Sequence, residues 1–121
     1  MIRRIGLALL AFSFFSVAAL AADFNGKWTA EFDTQIGVQK YTYELHVDGA
    51  TVTGKAINER GETAITEGKI DGDNITFVEN LNFQGMDLRI VYTGKIDGDQ
   101  IKFTRKVADF ATEELVAKRV K

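Results

Sequence analysis

The sequence of 121 residues contains no cysteine and no proline, and it has a single histidine. Without cysteine the domain has no disulfide bond, so it must rely on its core or on a bound ligand or metal. One histidine, His46, is too few for most metal sites, and its predicted outward position does not suit a Ser-His-Asp triad. The absence of proline is compatible with long, uninterrupted strands. These absences exclude a disulfide scaffold and disfavour histidine-based catalysis.

The charge of the chain is close to balanced. It has 15 basic and 17 acidic residues, for a formal net charge of −2. The acidic residues are spread along the chain, as on a solvated surface. Nucleic-acid-binding proteins present a basic face, so nucleic acid is not predicted as a partner.

The first 21 residues have the anatomy of a secretory signal peptide. Arg3 and Arg4 precede an apolar run over residues 5–17, and an Ala-x-Ala cleavage site follows at residues 19–21. The run is shorter than the roughly 20 residues of a membrane span, so no span is predicted after cleavage. Cleavage would leave 13 basic and 17 acidic residues, a net charge of −4. Residues 22–121 are therefore predicted to form one periplasmic or secreted domain.

A segment of ten residues occurs twice, first as Gly68–Phe77 and again as Gly94–Phe103. Each copy has a strand end, an Asp-Gly turn and a strand start, which is a strong hairpin signal. A shorter version at Asp48-Gly49 predicts a type I′ turn. The repeated acids resemble a calcium loop only faintly, because they lack its ligand spacing, and turn chemistry explains them. No metal site is predicted.

Alternation of apolar and polar residues continues through the rest of the mature chain and predicts about eight short antiparallel strands. The segment 113–120 is rich in helix formers, but a strand is predicted there because it would pair with the first strand and remove two exposed edges. A short helical turn is predicted near residues 108–111. The predicted fold is all-β, a single up-and-down barrel whose interior is filled by side chains or holds one small ligand.

The predicted inner faces differ in side-chain size. Strands three and four contribute small residues, namely Gly54, Ala56, Ala64, Thr66 and Gly68. The other strands contribute bulky ones, namely Trp28, Phe32, Tyr41, Tyr43, Phe77, Tyr92 and Phe103. Small faces let large side chains pack across them. The same composition also suits a cavity lined with aromatic rings and tyrosine hydroxyls, and the sequence leaves both interpretations open.

Two inward positions break the apolar pattern, Glu79 and Arg105. The repeat aligns Phe77 with Phe103, so these two charged residues are equivalent and should lie at one height, near the barrel end away from the Asp-Gly turns. A buried charge without a partner is costly. They either pair or reach solvent, or they hold a ligand at the mouth with Tyr41 or Tyr43.

The candidate ligand-binding residues are Trp28, Tyr41, Tyr43, Glu79, Tyr92 and Arg105. No catalytic residue and no cofactor site is predicted from these patterns.

Gly26-Lys27-Trp28 in the first strand resembles the start of a calycin-type, lipocalin-like barrel. That resemblance implies that Arg119, in the last strand, packs near Trp28. The mature chain is also similar to a short secreted bacterial β-domain, through Gly26-Lys27-Trp28, Val52-Thr53-Gly54, the repeat and residues 117–120. Such domains occur alone or appended to exported enzymes, including glycoside hydrolases. This similarity implies work on carbohydrate in the envelope and carries over no catalytic residue.

The leading hypothesis is an exported, non-enzymatic barrel that binds a small apolar or sugar-like ligand, or a partner protein such as an exported enzyme. One alternative is an accessory module for carbohydrate-active enzymes, which would need an exposed aromatic platform. Another is a small hydrolase or lyase using Glu79, supported by Arg105 and a tyrosine. Paired carboxylates for glycoside hydrolysis would be Glu67 with Glu79, or Glu113 with Glu114.

Overall fold

The computed structural model describes residues 23–121, which form a closed barrel of eight antiparallel strands. The strands are β1 (Gly26–Thr34), β2 (Gly37–Asp48), β3 (Thr51–Asn58), β4 (Gly61–Asp71), β5 (Asn74–Phe83), β6 (Met86–Asp97), β7 (Gln100–Val107) and β8 (Ala111–Arg119). The predicted all-β, up-and-down barrel is confirmed. The predicted signal peptide lies outside the described residues. Within residues 23–121, no helix is long and apolar enough to cross a membrane.

The last segment of the chain is a strand, as predicted. β8 pairs with β7 along its length, from Gln100 opposite Lys118 to Val107 opposite Ala111. A tight turn over residues 108–110 joins the two strands, and the Phe110 amide donates a hydrogen bond of 2.9 Å to the Val107 carbonyl. Pairing of β8 with β1 closes the barrel, so tertiary pairing overrides the helical preference of the isolated segment.

The strand connections define two ends of the barrel. The closed end has both ends of the described chain and the β2–β3, β4–β5 and β6–β7 turns, and the open end has the other four turns. At the closed end, the first loop residue of each turn is a glycine with positive φ, at 65° for Gly49, 63° for Gly72 and 64° for Gly98. The residue that follows each glycine does not have a positive φ. That pattern fits a type II′ turn. The predicted type I′ turn at Asp48-Gly49 is wrong, because Asp48 still pairs with Thr51 and the two-residue loop starts at the glycine.

The inward faces of β1, β2, β5, β6 and β7 follow the predicted alternation, but β4 does not. Its first half points Ile65 inward, with 6% of its surface exposed, and leaves Ala64 and Thr66 outside. The reason is a β-bulge at Glu67, which has a φ of 54° and shifts the register between Thr66 and Lys69. The prediction of Ala64 and Thr66 as interior residues is therefore wrong, while Gly68 returns to the inner face.

The centre of the barrel is packed solid by aromatic rings. Phe77 stacks on Tyr92 with ring centroids 4.5 Å apart and meets Phe103 edge-on at 5.6 Å. A Cβ at Gly94 would lie 2.5 Å from the Phe103 ring, so this glycine makes room for the ring on the next strand. In the centre, the packing interpretation of the mixed small and bulky interior is the correct one.

Trp28 seals the closed end. Its side chain is fully buried, and its indole nitrogen donates a hydrogen bond of 3.0 Å to the Phe24 carbonyl. The Arg119 guanidinium lies 4.3 Å from the centre of the indole ring. It also donates to the carbonyls of Asp23 and Asn25, at 2.8 Å and 3.0 Å. The predicted contact between Trp28 and Arg119 is confirmed, and it ties the last strand to the start of the domain.

The seam between β1 and β8 has the shortest ladder. Only Trp28 opposite Arg119 and Thr29 opposite Lys118 are paired in the described strands. Beyond these pairs an open concavity of about 990 Å³ lies along the seam. Its walls combine charged outer side chains, such as Glu31, Lys40 and Glu114, with buried ones of the barrel interior, such as Phe32 and Leu115.

Candidate functional site at the mouth of the barrel

A cavity of about 260 Å³ enters the barrel at its open end. Apolar side chains form its walls, namely Leu81, Phe83, Leu88, Ile90 and Val107. Ile36, Met86 and Phe110 lie at the rim and are 52%, 53% and 60% exposed. Gln39, Tyr41, Arg105 and Glu113 add polar atoms. The volume falls just below the roughly 300–1,000 Å³ that is usual for ligand pockets, so the cavity fits a small ligand.

The strand ladders bring the polar side chains of this site together. Arg105 on β7 lies opposite Tyr92 on β6 and opposite Glu113 on β8. Glu79 lies on β5 two residues beyond Phe77, which is itself opposite Tyr92. Because inward side chains recur every second residue, these four residues meet inside the barrel, at the base of the cavity.

Glu79 and Arg105 share a buried network of hydrogen bonds with the tyrosines. The Glu79 carboxylate accepts from the Tyr92 hydroxyl at 2.8 Å and from the Tyr41 hydroxyl at 3.0 Å. Arg105 donates to the same two hydroxyl oxygens, at 2.8 Å and 3.1 Å. With its hydrogen directed to Glu79, Tyr92 accepts the bond of 2.9 Å from Tyr43. Each of the three hydroxyls therefore donates to one defined acceptor: Tyr41 and Tyr92 donate to Glu79, and Tyr43 donates to Tyr92.

Arg105 contacts a second carboxylate as well. Its Nη1 donates to Glu113 at 2.5 Å, and its Nη2 lies 3.7 Å from Glu79. The guanidinium carbon also lies 5.3 Å and 5.2 Å from the ring centres of Phe32 and Tyr41. Glu79 and Arg105 therefore pair with each other, as one of the interpretations predicted, and Arg105 also lines the cavity.

Burial keeps the tyrosine hydroxyls protonated. It raises the pKa of Tyr41 to about 12, and the nearby Glu79 carboxylate adds to this effect while Arg105 opposes it. Burial also raises the pKa of Tyr43 and of Tyr92 well above the ordinary value. Burial alone would lower the pKa of Arg105, but Tyr92, Tyr41 and Glu79 around it raise that pKa. At neutral pH the network therefore holds neutral hydroxyls and a charged guanidinium.

The candidate residues from the sequence fall into three places. Tyr41 and Arg105 line the cavity. Glu79, Tyr43 and Tyr92 lie beneath them in the hydrogen-bond network, and Trp28 lies at the closed end. Of the polar residues that line the cavity, sequence reasoning missed Gln39, and it considered Glu113 only as a carboxylate paired with Glu114. The signal for Gln39 was present, since it precedes Tyr41 by two residues on the inner face of β2.

The carboxylate pairs considered for glycoside hydrolysis are separated by the sheet. Glu67 is exposed on the outer face and bonds Arg89 at 2.6 Å and 2.9 Å, while Glu79 points inward. Glu114 accepts from Thr104 outside, while Glu113 points into the barrel. Neither pair can flank one substrate. Within residues 23–121, no group of three acidic or histidine side chains is arranged to hold a metal ion.

No protein-family model and no curated protein sequence matches the chain. Two solved structures are similar to it in fold. The REP1-NXSQ fatty acid transporter has a TM-score of 0.53 and 19% identity, over 84% of this chain and 98% of that one. A variant of the fluorescent protein UnaG has a TM-score of 0.51 and 12% identity, over 81% of this chain and 96% of the other. The barrel is calycin-like in fold.

Proposed function

We propose that this chain is an exported barrel that binds one small, largely apolar ligand in the mouth cavity. The observation that carries the proposal is an open cavity with apolar walls above a buried polar base, which is the usual make-up of a small-molecule site. The similar structures add support, because one of them is described as a fatty acid transporter.

The apolar rim is the second support for ligand binding. Ile36, Met86 and Phe110 are each more than half exposed and lie around one opening. Scattered exposed apolar residues are normal, but a cluster at a concave site is typical of a binding surface. A bound apolar ligand would cover part of this rim and gain hydrophobic free energy in proportion to the area buried.

The test of ligand binding compares two tryptophan substitutions on β6. Leu88→Trp points into the cavity and fills it, whereas Thr93→Trp points to solvent on the same strand. Native mass spectrometry of protein purified from its own host would detect a co-purifying ligand. A thermal-shift panel of lipids and sugars would report binding in solution.

We expect the ligand and the thermal shift with the parent chain and with Thr93→Trp, and neither with Leu88→Trp. Equal shifts for both variants would place binding elsewhere. The absence of any ligand and any shift would leave a partner protein as the remaining role.

Export is tested separately. The signal-peptide anatomy of residues 1–21 supports the proposal that the mature chain starts at Ala22 and lies in the periplasm or outside the cell. Expression of the full chain in a bacterium, followed by fractionation and intact-mass measurement, should give the mass of residues 22–121 outside the cytoplasm. A full-length mass in the cytoplasm would contradict this.

The carbohydrate-processing alternative has weaker support. Glu79 is 1% exposed and lies behind Tyr41 and Arg105, away from the cavity wall. Among residues 23–121, Phe110 is the one strongly exposed aromatic side chain, too little for a flat sugar-binding platform. The sugars of the panel above test a sugar-like ligand in the mouth, and an exported enzyme as partner is the role left if nothing in that panel binds.

A further inference from the structure

The base of the mouth cavity holds more negative than positive charge. Arg105 lies against two carboxylates, Glu113 at 2.5 Å and Glu79 at 3.7 Å. With all three groups ionised, the set has a net charge of −1. A ligand carboxylate placed here would be a third negative charge in a poorly solvated site, where like charges repel strongly. The charge arrangement therefore disfavours an anionic head group at this depth.

Gln39 supplies a neutral polar group to the same cavity. Its side chain is 7% exposed, points inward from β2 and lines the cavity. Within residues 23–121, its side-chain amide has no hydrogen-bond partner. Buried amides in proteins are nearly always bonded, so this amide is positioned to bond a ligand. It offers one acceptor oxygen and two donor hydrogens.

Glu113 adds a second open acceptor. Its side chain is 9% exposed, and Oε1 accepts from Arg105. In the part of the chain that the structure describes, Oε2 has no donor. An ionised carboxylate is an acceptor only, so a group that complements Gln39 and Glu113 together must donate hydrogen bonds.

We propose that the ligand has a hydrogen-bond-donating head without negative charge, such as a hydroxyl, a primary amide or an ammonium group. The head bonds Gln39 and Glu113, and the apolar body packs against Leu88 and Val107. The inference rests on the proposed function of the mouth cavity. A carboxylate would remain at the rim, where Arg60 lies 4.9 Å from the ring centre of Phe83.

Four probes with the same alkyl chain test this inference. The cavity of about 260 Å³ holds roughly nine groups of water size, at about 30 Å³ each, which matches octanol. Octanol, octanamide, octylamine and octanoate are titrated into the mature chain by calorimetry at neutral pH. We expect at least one of the three donor probes to bind at least tenfold more tightly than octanoate.

The outcomes separate the two proposals. Equal or tighter binding of octanoate would overturn the inference and leave the proposed function standing. If none of the four probes binds, and no apolar ligand binds in the wider panel, both proposals fail. Preference for octylamine would show that Glu113 selects the head by charge, and preference for octanol or octanamide would show that Gln39 selects it by hydrogen bonding. Both of these results support the inference.

Substitutions at the two polar residues provide the second test. Glu113→Gln removes one negative charge and should raise octanoate affinity about tenfold, while Glu114→Gln on the outer face of β8 leaves it unchanged. Gln39→Leu should lower the affinity for octanol or octanamide about tenfold. It should not lower the unfolding temperature of the ligand-free protein, because the amide it removes has no partner in the described chain. A clear fall in that temperature would show a structural amide and contradict its role in ligand recognition.

Discussion

The two ends of the barrel each have an arginine stacked on aromatic rings, and the two arginines have different partners. At the closed end, Arg119 lies over Trp28 and donates to two main-chain carbonyls. At the open end, Arg105 lies near the rings of Phe32 and Tyr41 and donates to side chains. Bonds to the main chain hold Arg119 in place over Trp28, and together the two side chains close this end of the barrel. Side-chain partners leave Arg105 in a polar surface that faces a cavity, so the same residue type seals one end of the barrel and lines a cavity at the other.

The largest expected difference between the ends is in packing. Trp28→Ala removes a fully buried indole ring and should lower the free energy of unfolding by about 4 kcal/mol. Phe110→Ala at the mouth removes a ring that is 60% exposed and should change it by less than about 0.5 kcal/mol. Urea unfolding of both variants measures the difference. Comparable losses would show that the rim is part of the core.

The second-largest difference is expected between the two arginines: replacing each by methionine should lower the free energy of unfolding by different amounts. Arg105→Met leaves Glu79 and Glu113 buried without their cation and should cost about 3 kcal/mol. Arg119→Met should cost about 1 kcal/mol, because its partners are main-chain carbonyls and an exposed carboxylate, which water can reach. Urea unfolding again gives both values. Adding Glu79→Gln to Arg105→Met should recover part of the loss, and a larger cost at Arg119 would contradict the comparison.

The pH dependence of stability should come from the tyrosine network. The pKa of Tyr41 is raised from 10.0 to about 12 in the folded state, so between these values the folded chain keeps a proton that the unfolded chain loses. The free energy of unfolding therefore falls as pH rises from about 10 towards 12, by on the order of 2 kcal/mol for Tyr41.

Urea unfolding at a series of pH values, with tyrosinate absorbance as a second signal, measures this slope. Tyr41→Phe should reduce it. Trp28→Phe, at the closed end, should lower stability at every pH and leave the slope unchanged. An unchanged slope in Tyr41→Phe would place the titrating group elsewhere.

Much of the fold could be predicted because alternation and the repeated hairpin specify local geometry. The repeat identified Glu79 and Arg105 as equivalent inward positions, and they lie 3.7 Å apart at their closest charged atoms. The bulge at Glu67 could not be predicted, because a positive φ at a glutamate has no local sequence signal. The turn type at Gly49 was missed because it depends on which strand residue forms the last pair.

The candidate site was predictable only in part. Periodicity can place a side chain inside the barrel, but it cannot show which interior volume is filled. Tyr43 and Tyr92 have the same inward pattern as Tyr41, yet their rings pack against the rings of Phe77 and Phe103 in the centre. Gln39 was overlooked because a polar residue near a strand end usually faces solvent. The packing of rings from strands distant in sequence decides where the cavity remains.

The short ladder between β1 and β8 also bears on the expected order of folding. Seven of the eight strand junctions join neighbours in sequence, whereas Trp28 and Arg119 are paired across nearly the whole domain. Closing that junction costs the most chain entropy and forms only two residue pairs of the ladder. We therefore expect the barrel to close there last and to open there first. Along this seam, the main-chain amides beyond Thr29 and Lys118 should exchange their hydrogens with water earlier than those of β5 and β6.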